Sequence, residues 1–340
     1  MEFSIKKISK RWKLNMIKVK NLTKIYKTPI RKTNLLADIF FRQYKEKTAL
    51  DNISFEINTN ELIGFIGPNG AGKTTTMKIL SGILYPTFGE INVLGYFPFD
   101  KKPEFLKKIS FISGQKNQLF WELPVTESFK LTKEIYQVND SDYKKSLSNL
   151  IDLFNVNKLL KQPVKTLSLG QRMKMELINA LLYNPQILFL DEPTIGLDIF
   201  SQSAIINFIK KYQKNFKSTI ILTSHYLQDV KKLAQRIILI NQGKIIYDGS
   251  LKKLTDKHSN KKIIKIILDC EIPKNFLEKI NQQKISYKNN PPLLEIIIEK
   301  NKLSFLIKEV INKLSFQDLT IEDEPIEEII KNFINNQSKN

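Results

Sequence analysis

Up to about residue 254, apolar residues occur in two alternating patterns. Short, mostly apolar segments predict strands at residues 62–66, 109–113, 186–190 and 219–222, and those at 62–66 and 186–190 are expected to be buried. Between them, apolar residues recur at helical spacing, which predicts amphipathic helices over 73–84, 127–136, 143–154 and 172–183, with another from about Tyr226. Buried strands that alternate with helices indicate an α/β fold.

The pattern changes after residue 260. It predicts, in order, strand 263–268, helix 274–280, strands 284–287 and 293–298, helix 303–314, strand 318–321 and a final helix 325–333. An Asn-Asn-Pro-Pro turn at 289–292 joins the middle strands. This order is that of the split βαβ, ferredoxin-like motif. We therefore predict a small α+β domain over 260–335, with a regulatory or dimer-stabilising role.

A glycine-rich segment between strand 62–66 and helix 73–84 carries the clearest chemistry. It matches the pattern G-x-x-x-x-G-K-[ST], in which backbone N–H groups surround a nucleotide's phosphates. Its residues, named here the phosphate loop, are Gly67, Pro68, Asn69, Gly70, Ala71, Gly72, Lys73 and Thr74. Lys73 is expected to reach the β- and γ-phosphates, and the Thr74 hydroxyl to bind Mg²⁺.

An acidic pair follows the strand predicted at 186–190. Asp191 and Glu192 would lie at the carboxyl end of a parallel strand, where open α/β sheets bind ligands. Asp191 can then contribute to the Mg²⁺ shell, and Glu192 can polarise a water for attack on the γ-phosphate. Ser168 stands before another helix and can cap it, so that its N-terminus faces an anion.

The order of these segments resembles the ATP-binding cassette family over approximately residues 17–254. The motifs that carry the resemblance are the phosphate loop, the signature segment Leu-Ser-Leu-Gly-Gln at 167–171, Asp191-Glu192, Gly-Leu-Asp at 196–198 and Ser224-His225. The resemblance implies a P-loop cassette over 16–254, with a mixed-sheet core and a helical subdomain at about 116–170.

The resemblance also implies roles for individual residues. Lys73, Thr74 and Thr75 would cradle phosphate and Mg²⁺, with Asp191 as the metal-side carboxylate and Glu192 as the base. Gln115 would contact Mg²⁺ and the attacking water and couple to the membrane partner, and His225 would contact the γ-phosphate. Asp198 would bridge the subunits, and Tyr26 would stack on adenine. Ser168, Gly170 and Gln171 would close over the ATP of the opposite subunit.

Two departures from the family pattern leave alternatives open. Leu169 replaces the first of two signature glycines, although Ser168 and Gly170 are kept. Tyr26 lies unusually far before segment 49–55, so Phe41 and Tyr44 are alternative adenine contacts. Gln118 is likewise the alternative to Gln115.

Composition narrows the class of protein. The formal net charge is +20 and the pI about 9.6, but the lysines are spread along the chain, which favours a generally basic surface over a nucleic-acid site. Attraction to anionic lipid headgroups is a secondary expectation. The single cysteine, Cys270, fits a reducing compartment. No apolar run approaches a membrane span, and no clear secretory signal is present.

Two segments fall outside the usual cassette. Residues 1–15 are basic and carry no motif, and Met16 is an alternative translation start. Residues 28–47 contain apolar positions at helical spacing, which predict a helix that docks on its own domain or contacts the membrane partner. In the helical subdomain, Trp121 is either a core residue or part of a groove for the permease.

The predicted function is that of a peripheral ATPase subunit of an exporter on the cytoplasmic face of the plasma membrane. Two cassettes, most simply a homodimer, would sandwich two ATP molecules with Mg²⁺ and drive a separately encoded integral membrane permease. No specific nucleic acid is expected. The alternatives are a soluble cassette ATPase that acts on ribosomes or nucleic acid, and a nucleotide-binding module without catalysis.

Overall fold

The computed structural model describes residues 16–30, 43–114, 116–224, 226–283 and 285–337. The chain divides into two compact units, with the division after Ser250. The basic segment 1–15 and the apolar positions within 31–42 lie outside the described residues. Within the described residues, no helix is both long enough and apolar enough to cross a lipid bilayer.

The first unit alternates strands and helices. Its strands are β1 (Ile17–Ile30), β2 (Gln43–Ile57), β3 (Leu62–Ile66), β4 (Phe88–Val93), β5 (Ile109–Ser113), β6 (Ile187–Asp191), β7 (Thr219–Thr223), β8 (Arg236–Asn241) and β9 (Lys244–Ser250). Its helices are α1 (Lys73–Leu80), α2 (Pro103–Leu106), α3 (Val125–Tyr136), α4 (Asp140–Phe154), α5 (Leu169–Leu181), α6 (Ile199–Phe216) and α7 (Leu227–Leu233).

The strands form two sheets, which together give the mixed architecture. One has the order β5-β6-β7-β3-β8-β9, parallel except for the antiparallel pair β8-β9; the other is the antiparallel sheet β2-β1-β4. All five residues of β6 and of β7 are buried, as continuous apolar runs in a covered parallel sheet require. The carboxyl ends of β3, β6 and β7 therefore meet at one edge.

The structure corrects the limits of two predicted helices. The helix predicted over 73–84 ends at Leu80, because Gly82 takes a left-handed φ of 76° and residues 83 and 84 both donate to the Lys78 carbonyl. The helix predicted over 172–183 begins at Leu169, because Ser168 caps its first turn, and it ends at Leu181.

Both described ends of segment 28–47 are strands. Residues 28–30 and 43–47 continue the β1-β2 hairpin, with Thr28 opposite Lys45 and Pro29 opposite Tyr44. Most residues in this extension are exposed, so sheet pairing rather than burial defines it. The central apolar positions of the predicted stripe lie outside the described residues.

The second unit contains its own sheet and core. Its elements are α8 (Leu251–His258), β10 (Lys261–Leu268), α9 (Lys274–Gln282), β11 (Ser286–Asn290), β12 (Leu293–Glu299), α10 (Leu303–Lys313), β13 (Phe316–Asp323) and α11 (Ile326–Gln337). The sheet order β11-β12-β10-β13, all antiparallel, is the ferredoxin-like arrangement that the sequence predicts. Alternate residues of β10 and β12 share a core with Phe276 and Leu306.

Candidate nucleotide site

The phosphate loop joins β3 to α1 and lies beside the acidic pair. Lys73 is buried, and its Nζ donates to the carbonyl oxygens of Gly67 at 2.7 Å and Pro68 at 3.0 Å. Burial lowers the pKa of Lys73, whereas the charges of Glu192 and Asp191 act in the opposite direction. A cavity of about 290 Å³ opens here, lined by Asn69, Gly70, Gly72, Lys73, Thr74, Thr75 and Glu192. The cavity therefore combines a cation, backbone N–H donors and a carboxylate.

Asp191 connects three elements of the site. Its Oδ1 accepts hydrogen bonds from the Thr74 hydroxyl at 2.9 Å and from the Thr223 hydroxyl at 2.8 Å, and the residue is buried. Carboxylate and hydroxyl oxygens are hard donors of the type that Mg²⁺ prefers. The pairing of Thr74 with Asp191 therefore fits the predicted metal site in its donor chemistry.

Glu192 follows β6 in a conformation that few residues other than glycine adopt. Its φ is 55°, in the left-handed region. Its backbone N–H donates to the hydroxyl of Thr223 at 3.0 Å and to the carbonyl of Thr223 at 3.2 Å. Its carbonyl lies against Gly114, where an added Cβ would be 2.1 Å from that oxygen. Contacts on both sides therefore fix the backbone of the predicted base.

The signature segment begins α5 with a complete capping box. The Ser168 hydroxyl accepts from the Gln171 backbone N–H at 3.2 Å, and the Gln171 side-chain oxygen accepts from the Ser168 N–H at 2.9 Å. Ser168 and Leu169 are exposed, whereas Gly170 is buried. The Ser168 and Gln171 side chains thus cap the N-terminus of α5. Their contact with a second subunit's ATP stays a prediction.

Asp198 caps α6 in the same way. Its Oδ1 accepts from the backbone N–H groups of Phe200 at 3.0 Å and Ser201 at 2.9 Å. Hydrogen bonds from Ser201, first from its side chain and then from its backbone, lower the pKa of the Asp198 carboxyl. The lowered pKa favours the ionised form of Asp198 at this exposed turn. The role of Asp198 as an intersubunit bridge stays a prediction.

Tyr26 lies near the phosphate loop despite its distance in sequence. Its hydroxyl is 3.4 Å from the Thr75 hydroxyl, and the Lys24 ammonium is 5.3 Å from the centre of its ring. Tyr44, one alternative, pairs with Pro29 further along the hairpin, and Phe41 lies outside the described residues. The structure therefore brings Tyr26 to the site, and its stacking on adenine stays a prediction.

Two predicted site residues, Gln115 and His225, lie outside the described residues. Their neighbours frame the site: the Gly114 N–H donates to the Asp191 carbonyl at 2.9 Å, and Thr223 is paired with Asp191. Gln118, the alternative to Gln115, uses its side-chain amide to donate to the Phe111 carbonyl at 2.8 Å.

Glu176, for which the sequence alone predicts no role, anchors the segment after β5. Its Oε1 accepts from the Gln118 backbone N–H at 2.8 Å, and the residue is 2% exposed. Its Oε2 has no hydrogen-bond partner in the part of the chain that the structure describes. Burial raises the pKa of Glu176 to about 7, opposed by the Gln118 N–H and the Arg172 charge. The sequence signal for this role is the position of Glu176 within a predicted helix, between the apolar residues Met175 and Leu177.

We expect the Glu176→Gln variant to lose a pH dependence of stability. The pKa of Glu176 rises from an ordinary 4.5 to about 7 on folding, so the folded state binds the proton more tightly. The wild-type free energy of unfolding therefore falls across this window as pH increases, by at most about 3 kcal/mol. Urea unfolding at about pH 5 and about pH 8 measures this difference. Equal slopes in wild type and variant would contradict the assignment.

A groove of about 330 Å³ lies between α3, α5 and β5. Apolar side chains at its rim are substantially exposed, namely Ile83, Phe120, Leu131 and Ile135. Trp121, next to Phe120, is 48% exposed, so it does not belong to the core. The aromatic patch of the sequence therefore lies on the surface.

Comparison with known proteins identifies the family. A family model described as ABC transporter matches residues 50–195. The ABC transporter ATP-binding protein NatA of Bacillus subtilis (strain 168) is 30% identical over 217 residues, which cover 63% of this chain and 88% of that protein. The chain belongs to the ABC transporter ATP-binding proteins.

Other members of this family extend the comparison. The linearmycin resistance ATP-binding protein LnrL of Bacillus subtilis (strain 168) is 27% identical, and the match covers 88% of this chain and 97% of that protein. The ABC cassette MJ0796, solved as a dimer in a post-hydrolysis state with ADP and Pi, gives a TM-score of 0.58 at 23% identity, covering 69% of this chain and 98% of that one. The structural likeness confirms the predicted fold.

This chain is therefore the ATP-binding and ATP-hydrolysing subunit of an ABC transporter. The alternative of a cassette that acts on ribosomes or nucleic acid is not favoured, because the matching relatives are transporter subunits. A nucleotide-binding module without catalysis is not favoured either, since ATP hydrolysis follows from the family.

Proposed function

We propose that this ABC cassette energises an exporter by ATP-dependent pairing with a second copy of itself. The observation that carries the proposal is the common cavity of Lys73, Thr74, Thr75 and Glu192, with Asp191 bonded to Thr74 at its edge. The exposed N-terminus of α5 at Ser168 supplies the complementary surface, because free helical N–H groups attract phosphate. Each ATP would lie between the phosphate loop of one subunit and Ser168 of the other.

Mg²⁺ would be held by Thr74 and Asp191, together with Gln115. When bound, it would neutralise charge on the β- and γ-phosphates. Lys73 contributes a further positive charge beside the phosphates, and Glu192 accepts the proton of the attacking water. Because the backbone of Glu192 is fixed at its N–H and its carbonyl, the carboxylate is presented from a rigid position.

Export is favoured by one relative's name. LnrL is a resistance protein, and a transporter subunit confers resistance most directly by removing a compound from the cell. The cassette would bind a separately encoded integral membrane permease on the cytoplasmic face of the membrane. The groove rimmed by Leu131 and Ile135 is the docking surface, because exposed apolar patches mark binding sites.

The proposed permease contact is tested with the Ile135→Asp variant. Ile135 is 61% exposed, so the substitution is expected to leave folding and ATP binding intact while placing a charge in the apolar groove. The tagged variant, captured from gently solubilised native membranes, should recover at least about tenfold less of a multi-span membrane protein than wild type.

A matched control separates the groove from a general effect of charge. Ile311 on α10 is 62% exposed, and Ile311→Asp should capture the membrane protein as wild type does. Equal capture by Ile135→Asp and wild type would remove the groove from the proposal. Recovery of ribosomal proteins or nucleic acid alone would overturn the transporter assignment itself.

A further inference from the structure

Thr223, the last residue of β7, places a hydroxyl between the two acidic residues of the site. The residue is fully buried. Its Oγ1 donates to Asp191 Oδ1 at 2.8 Å and accepts from the Glu192 backbone N–H at 3.0 Å. The sequence alone predicts no role for this residue, which stands directly before Ser224-His225.

The direction of both hydrogen bonds is determined by chemistry. A backbone N–H can only donate, so the Glu192 bond uses a lone pair of the Thr223 oxygen. An ionised carboxylate can only accept, so the single hydroxyl proton points to Asp191. Valine, which has the same shape but no hydroxyl, can form neither bond.

The strand register makes this position specific. Asp191 is paired directly with Thr223 in the parallel ladder of β6 and β7, and the Thr223 carbonyl also accepts from the Glu192 N–H at 3.2 Å. Glu192 leaves the ladder at a φ of 55°, a left-handed conformation that is strained for residues other than glycine. Two acceptors on one residue therefore hold the N–H of a strained turn.

We propose that Thr223 is a positioning residue for ATP hydrolysis. Its hydroxyl aligns the Asp191 carboxylate and the Glu192 turn as one unit, and it ties both to the strand that leads to His225. The inference rests on the proposed roles of Asp191 and Glu192. It assigns to Thr223 no contact with the nucleotide, so its loss affects turnover and not ATP affinity.

The test compares Thr223→Val with Thr223→Ser. The Val variant should lower kcat by about 10- to 100-fold, the range for residues that orient a catalytic group, while KM and the directly measured affinity for ATP with and without Mg²⁺ stay within about threefold. The Ser variant, which keeps the hydroxyl, should restore kcat to within about threefold of wild type.

Thr219 provides a control in the same strand. It is also fully buried, and its hydroxyl accepts from the Asn60 N–H at 2.9 Å at the other end of β7. Thr219→Val should lower the melting temperature as Thr223→Val does but leave kcat unchanged. If Thr223→Val does not fold, Thr223→Ala provides a second variant without the hydroxyl.

The outcomes separate this inference from the function on which it rests. Wild-type kcat in Thr223→Val, or a loss of kcat that Thr223→Ser shares, overturns the role of the hydroxyl. Equal loss of kcat in Thr219→Val also overturns it, because the effect would then follow stability. Wild-type turnover in Glu192→Gln, measured in the same assay, overturns the proposed catalytic site instead.

Discussion

Replacing Glu192 by Gln is expected to lower kcat for ATP hydrolysis by about 10²- to 10⁴-fold, the usual contribution of a general base. Glutamine keeps the shape of the side chain but cannot accept the proton of the attacking water. ATP affinity should remain within about threefold of wild type, because Lys73 and the phosphate loop are unchanged. The variant should therefore accumulate as an ATP-bound dimer, measured by size-exclusion chromatography with light scattering.

Cysteine cross-linking tests whether that dimer has the proposed arrangement. In a Cys270→Ser background, subunits with Asn69→Cys are mixed with subunits carrying Leu169→Cys, both at exposed positions. A disulfide requires the two Cα atoms to approach within about 7 Å, so it should form only in the ATP-trapped dimer. Asn69→Cys with Glu278→Cys is the control pair. A Glu192→Gln protein that is monomeric in saturating ATP would refute the arrangement.

Replacing Lys73 by Met is expected to weaken ATP binding by about 10- to 150-fold, the loss that follows from removing a charged hydrogen-bond donor. Methionine has a similar length but neither charge nor N–H. It also leaves the Gly67 and Pro68 carbonyl oxygens without the ammonium that bonds both of them. Turnover should fall together with affinity, in contrast to Glu192→Gln. Equilibrium titration with a fluorescent ATP analogue measures the change.

Lys78→Met is the matched control for this substitution. Lys78 lies in the last turn of the same helix and does not line the cavity. The control should bind ATP as wild type does, which separates the ammonium of Lys73 from a change in net charge. Wild-type affinity in Lys73→Met would show that the phosphates bind elsewhere.

Much of the fold could be predicted because the hydrophobic pattern of the sequence agrees with the burial of residues in the structure. The strands at 62–66 and 109–113 have the predicted limits, since short, mostly apolar segments of this length suit strands of a sheet that is covered on both faces. The ferredoxin-like unit was predicted from the order of its elements. Helix limits were less accurate, because caps such as Ser168 and a left-handed Gly82 decide them.

Residues 28–47 show what local periodicity leaves undetermined. Apolar residues at helical spacing predict a helix within this segment, and those positions lie outside the described residues. The two described ends of the segment pair as strands. Hydrogen bonding to a partner strand is a tertiary interaction, and the spacing of residues in one segment does not encode it. The same hairpin carries Tyr26 to Thr75, a contact between residues 49 positions apart.

The sequence by itself determined the phosphate loop, the acidic pair and the signature segment, because each motif is short and its chemistry requires particular residues at fixed spacing. Only the tertiary structure decided which hydroxyl holds Asp191 and Glu192, and that Glu176 is buried against the segment after β5. Those contacts join residues of different strands and helices. Sheet register and helix packing, which follow from the whole fold, bring such residues together.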